Sequence, residues 1–204
     1  MKKEKIYRLA ITAILIAIIV VMAFTPVGYL KIGLLSITFL TVPIIIGSVT
    51  NGPAVGAILG LCFGITSLIQ CFGMDAFGTA LMQISAWKTV VMCLVPRVLI
   101  GVVCGLTYKA LQKSSKRVVL NYAVSSITAP LTNTVLFMGF LTLFFWKSEY
   151  LQNVAASLGA GSVIKFLIAM VGINGVVELV VCSILGTLIL IPLQKATKRF
   201  TIES

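Results

Sequence analysis

The sequence predicts an all-α membrane protein, a six-helix transmembrane bundle with both termini in the cytoplasm. Three observations carry that expectation. Of the 204 residues, 59% are hydrophobic and 10% charged, with a mean hydropathy of +1.13, whereas a soluble domain is about half apolar and about a quarter charged. Six apolar stretches come near the roughly 20 residues that a bilayer core of about 30 Å requires. Finally, eleven of the sixteen Lys and Arg residues fall in segments that six spans place on one side, which the positive-inside rule makes the cytoplasm.

In chain order the stretches are residues 7–24, 34–49, 54–72, 90–111, 119–146 and 163–193. The basic start Lys2-Lys3-Glu4-Lys5 suggests a secretory signal. Its apolar run is longer than a usual signal core and lacks a clear Ala-x-Ala site, so it is read as a retained first helix. Between the second and third stretches, Thr50-Asn51-Gly52-Pro53 reads as a tight cytoplasmic turn. The third carries Gly56, Gly60 and Gly64, and the fourth Gly101 and Gly105. Small residues four apart let helices approach closely in lipid, where little hydrophobic force holds them together. Both glycine sets are therefore expected to pack within one body spanning residues 1–204. Ala13 and Ala17 on the first stretch share that spacing and suit either internal packing or a face for another protein.

The cytoplasmic cations are Lys2, Lys3, Lys5 and Arg8, then Lys109, Lys113, Lys116 and Arg117, then Lys195, Lys198 and Arg199. This segregation by side argues against a nucleic-acid groove binder, and it suits contact with anionic lipid. Outside lie Lys31, Lys88, Lys147 and Lys165 beside Asp75 and Glu149. The outer connections 73–89 and 147–162 are the longer ones and carry Gln83, Trp87 and Lys88 among other polar and aromatic residues. Longer connections bearing such chemistry point to the external face as the place for a ligand, although Trp87 and Trp146 also suit interfacial anchoring.

Several classes of chemistry are excluded. Histidine is absent, which removes the usual catalytic triads, His-ligated metals and His proton relays. Cys62, Cys71, Cys93, Cys104 and Cys182 form no Cys-x-x-Cys pair and read as small packing residues rather than a metal site or disulfide framework. No phosphate-binding loop, zinc-protease signature or nucleophile elbow is present, and no repeat relates the two halves as in many transporters. No catalytic residue, metal or cofactor is expected.

The polar residues inside the spans are few. Arg97 follows Pro96 in the fourth, Asn133 lies in the fifth, and Asn174 and Glu178 stand four apart in the sixth, on one helix face. Ionisable groups at such depth are costly and face a cavity, a partner or a substrate. Arg97 and Glu178 could form an internal ion pair, or a ligand could enter that pair. A channel needs a continuous polar stripe through the membrane, and these residues concentrate towards its outer half.

Several motifs together resemble the substrate-binding S components of energy-coupling factor (ECF) vitamin transporters. They are Thr41-Val42-Pro43-Ile44-Ile45-Ile46-Gly47, Asn51-Gly52-Pro53 with Gly56-Ala57-Ile58-Leu59-Gly60, Val95-Pro96-Arg97-Val98-Leu99-Ile100-Gly101, Leu131-Thr132-Asn133-Thr134 and Ile173-Asn174-Gly175-Val176-Val177-Glu178. Within that family the chain looks most like the pantothenate-type branch, with the riboflavin type next and a standalone channel or carrier as the alternative class. The resemblance implies a non-catalytic six-helix subunit in a prokaryotic plasma membrane. Such a subunit captures a vitamin near the extracellular face, docks on a transmembrane coupling subunit and relies on two cytoplasmic ATPases. It implies that Ala13 and Ala17 form the docking face. For a pantothenate-like anion it implies Arg97 for the carboxylate and Asn133, Asn174 and Gln83 for the amide and hydroxyls, with Glu178, Trp87 and Lys88 nearby. The sequence departs from the pattern at Val177, where a proline is expected, and in its short first external loop.

Overall fold

The structure is a computed structural model that describes the backbone of residues 2–26, 28–32, 35–115 and 117–202; the side chains of 2–4, 30–37, 173–174 and 194–202 lie outside the described part. The elements run α1 (Lys2–Ala23), β1 (Tyr29–Ile32), β2 (Leu35–Thr38), α2 (Thr41–Asn51), α3 (Pro53–Gln70), α4 (Ala76–Ile84), α5 (Ala86–Ser114), α6 (Val118–Phe145), α7 (Glu149–Ser157) and α8 (Val163–Ile202). Among the described residues, five helical segments are long and apolar enough to cross a membrane: Lys5–Ala23, Pro53–Gln70, Ala86–Ser114, Val118–Phe145 and Gly175–Leu193. The protein is a multi-pass helical membrane protein.

The expected second span, residues 34–49, is not one helix. Leu34 lies outside the described residues, and Leu35–Thr38 pairs antiparallel with Tyr29–Ile32, Tyr29 opposite Thr38. Helix α2 has 11 residues, about 16 Å at 1.5 Å per residue and roughly half of the bilayer core. Every residue from Thr41 to Val49 is buried. A helix sheathed by other helices need not match the bilayer thickness. Because its neighbours are as apolar as lipid, composition alone reads such a helix as a lipid-facing span.

Helix α2 is the centre of the bundle. Its Ile44 and Ile45 are fully buried in a cluster with Leu59 and Phe63 of α3, Ile100 of α5, Ala129 of α6 and Cys182 of α8. Gly52 at φ 95° turns the chain directly into α3, which starts on Pro53; proline suits a first helical position because its missing N–H has no partner there anyway. The turn expected at Thr50–Pro53 is thus in place.

Helices α3 and α5 run antiparallel along a glycine seam. Gly56 faces Gly101 backbone to backbone, Gly60 lies on the carbonyl of Arg97, and a Cβ on Gly64 would come 3.0 Å from the Cys93 carbonyl. The glycine repeats therefore pack internally, as their spacing predicts. Ala13 and Ala17 do not: both are exposed on α1 in line with Ile14, Ile18 and Val21, which removes the internal-packing alternative for that pair.

The longer connections, within 73–89 and 147–162, are themselves ordered. Asp75 caps α4 by accepting from the Gly78 N–H at 2.7 Å, and Ser148 caps α7 by accepting from the Leu151 N–H at 3.3 Å; each supplies an acceptor to a donor that the helix start leaves unpaired. Phe77 and Leu81 of α4 and Leu151 and Ala155 of α7 form a second core with Met92, Met138, Phe145, Phe166 and Met170. The expected last span, 163–193, is divided by Gly172 at φ 28°, ψ −133°, a conformation that glycine tolerates best. Among the described residues, the length of this segment able to cross a membrane is Gly175–Leu193.

Candidate functional site

A cavity of about 620 Å³ lies where the two cores meet, between the ends of α1 and α3, strand β1, the start of α5 and the middle of α6 and α8. Its volume falls in the range of about 300–1,000 Å³ usual for small-molecule sites. Its wall is largely apolar, with Phe77, Phe137, Met92 and Met138, and it carries Arg97, Asn133, Glu178, Tyr29, Thr38 and Gln70 as polar groups.

The local sequence explains how Arg97 is held. Pro96 sits inside α5 and has no backbone N–H, so the Met92 carbonyl four residues earlier loses its helical donor. The Arg97 guanidinium replaces it, with Nη1 donating to that carbonyl at 3.0 Å. The Pro-Arg step thus opens an acceptor and fills it, drawing the side chain back towards the start of α5. Arg97 Cζ lies 4.7 Å from the Phe137 ring centroid and 5.3 Å from that of Phe63, within the roughly 6 Å over which a cation is attracted to an aromatic face. Arg97 is 8% exposed, and its Nε has no partner among the described residues.

Glu178 joins three elements. Its Oε1 accepts from Asn133 Nδ2 of α6 at 3.2 Å, and its Oε2 accepts from the Thr38 N–H of β2 at 3.4 Å. One turn further along α8, Cys182 Sγ donates to the Thr38 carbonyl at 3.5 Å, so the last residue of the hairpin is held by both its backbone groups. Glu178 is satisfied by Asn133 and Thr38 rather than by Arg97, which leaves the guanidinium to its rings and the Met92 carbonyl.

Three buried polar atoms on this wall have no partner among the described residues: Arg97 Nε, Asn133 Oδ1 and the Tyr29 hydroxyl. A buried donor or acceptor left unpaired costs about 1–3 kcal/mol. The three residues that carry them line one cavity and together offer a cationic donor, a neutral acceptor and a hydroxyl that serves as either.

Of the residues singled out in the sequence, Arg97, Asn133 and Glu178 line the cavity, and the side chain of Asn174 lies outside the described part. Gln83, Trp87 and Lys88 stand away from it. The buried face of α4 is formed by Phe77, Gly78 and Leu81, which leaves Gln83 exposed. Trp87 is 65% exposed with its ring against Phe144, and Lys88 Nζ donates to the Phe144 carbonyl at 3.4 Å. Both belong to the first turn of α5, above the stripe formed by Met92, Cys93 and Arg97 that faces the cavity.

Tyr29, Thr38 and Gln70 carried no signal in the sequence, since each reaches the wall only through the hairpin or the end of α3. Gln70 Nε2 donates to the Ala23 carbonyl at 2.5 Å, tying α3 to the end of α1 beside the cavity.

Fold and cavity together define a multi-pass helical membrane protein with a walled, partly cationic cavity of small-molecule size. The chain belongs to the family described as ECF transporter, substrate-specific component, which matches residues 7–190. It is similar to the Pantothenic acid transporter PanT of Lactococcus lactis subsp. cremoris (strain MG1363), 30% identical over 213 residues that cover 96% of this chain and 98% of that protein. Members of the family are substrate-binding transporter components rather than enzymes.

Proposed function

We propose that this chain is the pantothenate-binding subunit of an ATP-driven ECF importer in a prokaryotic plasma membrane. Residues 1–204 act as one S-component domain that captures the vitamin from the extracellular side. The observation that carries the reading is Arg97, a buried cation on the cavity wall with its Nε unpaired and a planar fork suited to a carboxylate. Pantothenate is an anion at neutral pH with a carboxylate at one end and an amide and hydroxyls along its length. Asn133 and Tyr29 present the neutral hydrogen-bonding groups that such a chain requires. The similarity to PanT supports the same substrate. The fully buried Ile44, Ile45, Leu59 and Ile100 of the central core favour capture over a continuous channel. Mass spectrometry of small molecules released from the purified protein tests the reading: pantothenate is the expected species, and recovery of riboflavin or another neutral vitamin in its place overturns it.

The proposed topology has six crossings, with α2 and the hairpin together accounting for the second, and both termini inside. In a Cys-free background, Ser114→Cys should stay unlabelled by an impermeant maleimide added to intact cells; external labelling would sink this orientation.

Energy comes from two cytoplasmic ATPases through a transmembrane coupling subunit that docks on α1. The exposed Ala13 and Ala17 offer a smooth strip where a partner helix can approach closely. Replacing Ala17 with Trp should leave pantothenate affinity of the isolated subunit within about twofold, since substitutions at exposed sites usually change free energies by no more than about 0.5 kcal/mol. Uptake by the assembled transporter should fall to background. A joint loss of binding and uptake would contradict a docking role.

A further inference from the structure

Two of the five cysteines have a placement that packing alone does not require. Cys71 follows α3 and Cys93 lies one turn before Arg97 on α5; both are free, both are buried, and both line the cavity. Their sulfurs are 3.8 Å apart. Of the others, Cys104 and Cys182 donate to the carbonyls of Ser125 and Thr38, and neither they nor Cys62 line the cavity.

The glycine seam and the bend of the Cys71 side chain together give this juxtaposition. Gly64 packs on the Cys93 carbonyl and fixes the separation of α3 and α5 there. Cys71 lies just past the end of α3, and its Sγ donates to the Ser67 carbonyl one turn earlier at 3.4 Å, so the side chain turns back along α3 towards Cys93.

We propose that Cys71 and Cys93 are a redox-modifiable dithiol in the wall of the binding site, converted to a disulfide by a small organic disulfide entering from the outer solution. The inference rests on the cavity being the vitamin site and opening outwards, where disulfides persist. The thiolate of one cysteine attacks the disulfide RSSR, forming a mixed disulfide and expelling one RS⁻. The second thiolate then attacks the protein sulfur of that mixed disulfide and expels the other RS⁻. Two cysteine thiols are oxidised, RSSR is reduced to two RSH, and the two cysteine protons pass through solvent to the leaving thiolates. Closing the contact to the S–S bond length of about 2.05 Å draws the Cys71 turn towards α5 one turn from Arg97. This reshapes the site, and a ligand seated there blocks the reagent.

The test uses the full-length protein in detergent with bis(2-hydroxyethyl) disulfide as the probe, read by free-thiol titration, peptide mapping and pantothenate affinity. Wild type is expected to lose two thiols, to yield one peptide joining Cys71 to Cys93, and to bind pantothenate more weakly until dithiothreitol restores it. Saturating pantothenate should slow the thiol loss. Cys104→Ser should still cross-link, whereas Cys71→Ser and Cys93→Ser should stop at a mixed disulfide on the remaining thiol. Intact thiols in a protein that binds pantothenate normally would overturn the proposal, as would cross-linking that leaves affinity unchanged. Cross-linking in a protein with no affinity for pantothenate would refute the vitamin assignment and leave the dithiol standing.

Discussion

Replacing Arg97 with alanine is expected to reduce pantothenate affinity by about 30-fold to several thousand-fold, the equivalent of the roughly 2–5 kcal/mol lost when one partner of a desolvated charge pair is removed. The expectation follows from the burial of the guanidinium, its seat between Phe63 and Phe137 and its unpaired Nε. Arg97→Lys should recover part of the loss, because an ammonium keeps the charge but cannot present a planar fork. Pro96→Ala should act in the same direction by a different route. Restoring an N–H at position 96 returns the Met92 carbonyl to the helix ladder and competes with Arg97 Nη1 for it, so affinity should fall while the charge is unchanged. Calorimetric titration of purified, folded variants measures all three. Wild-type affinity in a folded Arg97→Ala protein would remove this residue from the site.

The largest effects on stability are expected along the glycine seam. A Cβ at Gly101 meets the backbone of Gly56, and one at Gly60 meets the backbone at Arg97; neither obstacle is a flexible side-chain end that can move aside. Overpacking of this kind costs about 1–3 kcal/mol even where some adjustment is possible, and a leucine at either position should separate α3 from α5 and prevent stable folding. The alanine variants are expected to divide the two roles. Gly101→Ala, two turns along α5 from the seam's contact at Cys93, should lower thermal stability with little change in affinity. Gly60→Ala pushes directly on the Arg97 backbone and should lower both. Thermal unfolding in detergent alongside ligand titration separates these outcomes, and unchanged stability in both variants would show that the seam is looser than the contacts indicate.

Much of the protein was legible from composition because the bilayer imposes strict costs. Long apolar runs mark spans. Arg97, Asn133 and Glu178 stood out as cavity residues because such groups are expensive to place against lipid. The glycine repeats of α3 and α5 were likewise read correctly as an internal seam, since a four-residue period of small residues has a direct geometric meaning on a helix. The second stretch was legible only in part. Hydropathy reports that a segment avoids water, and it does not distinguish protein from lipid as the apolar neighbour, so it could not show that this stretch divides into a strand and the buried half-length α2.

What local pattern could not supply was the identity of distant partners. Glu178 finds Thr38, 140 residues away, rather than Arg97, because the hairpin end packs on α8 beside the carboxylate. Tyr29 enters the wall on a strand that composition did not reveal. Gln83, Trp87 and Lys88 leave it because the register of α4 and α5 turns them away. Cys71 and Cys93, spaced 22 residues apart without any motif, meet only because α3 packs on α5 and the Cys71 side chain turns back along α3. The membrane class and the costly polar residues follow from each residue's own transfer energy, which the chain carries wherever it goes. The constellation around the cavity depends on helix separation and rotation, quantities that exist only once the whole bundle has packed.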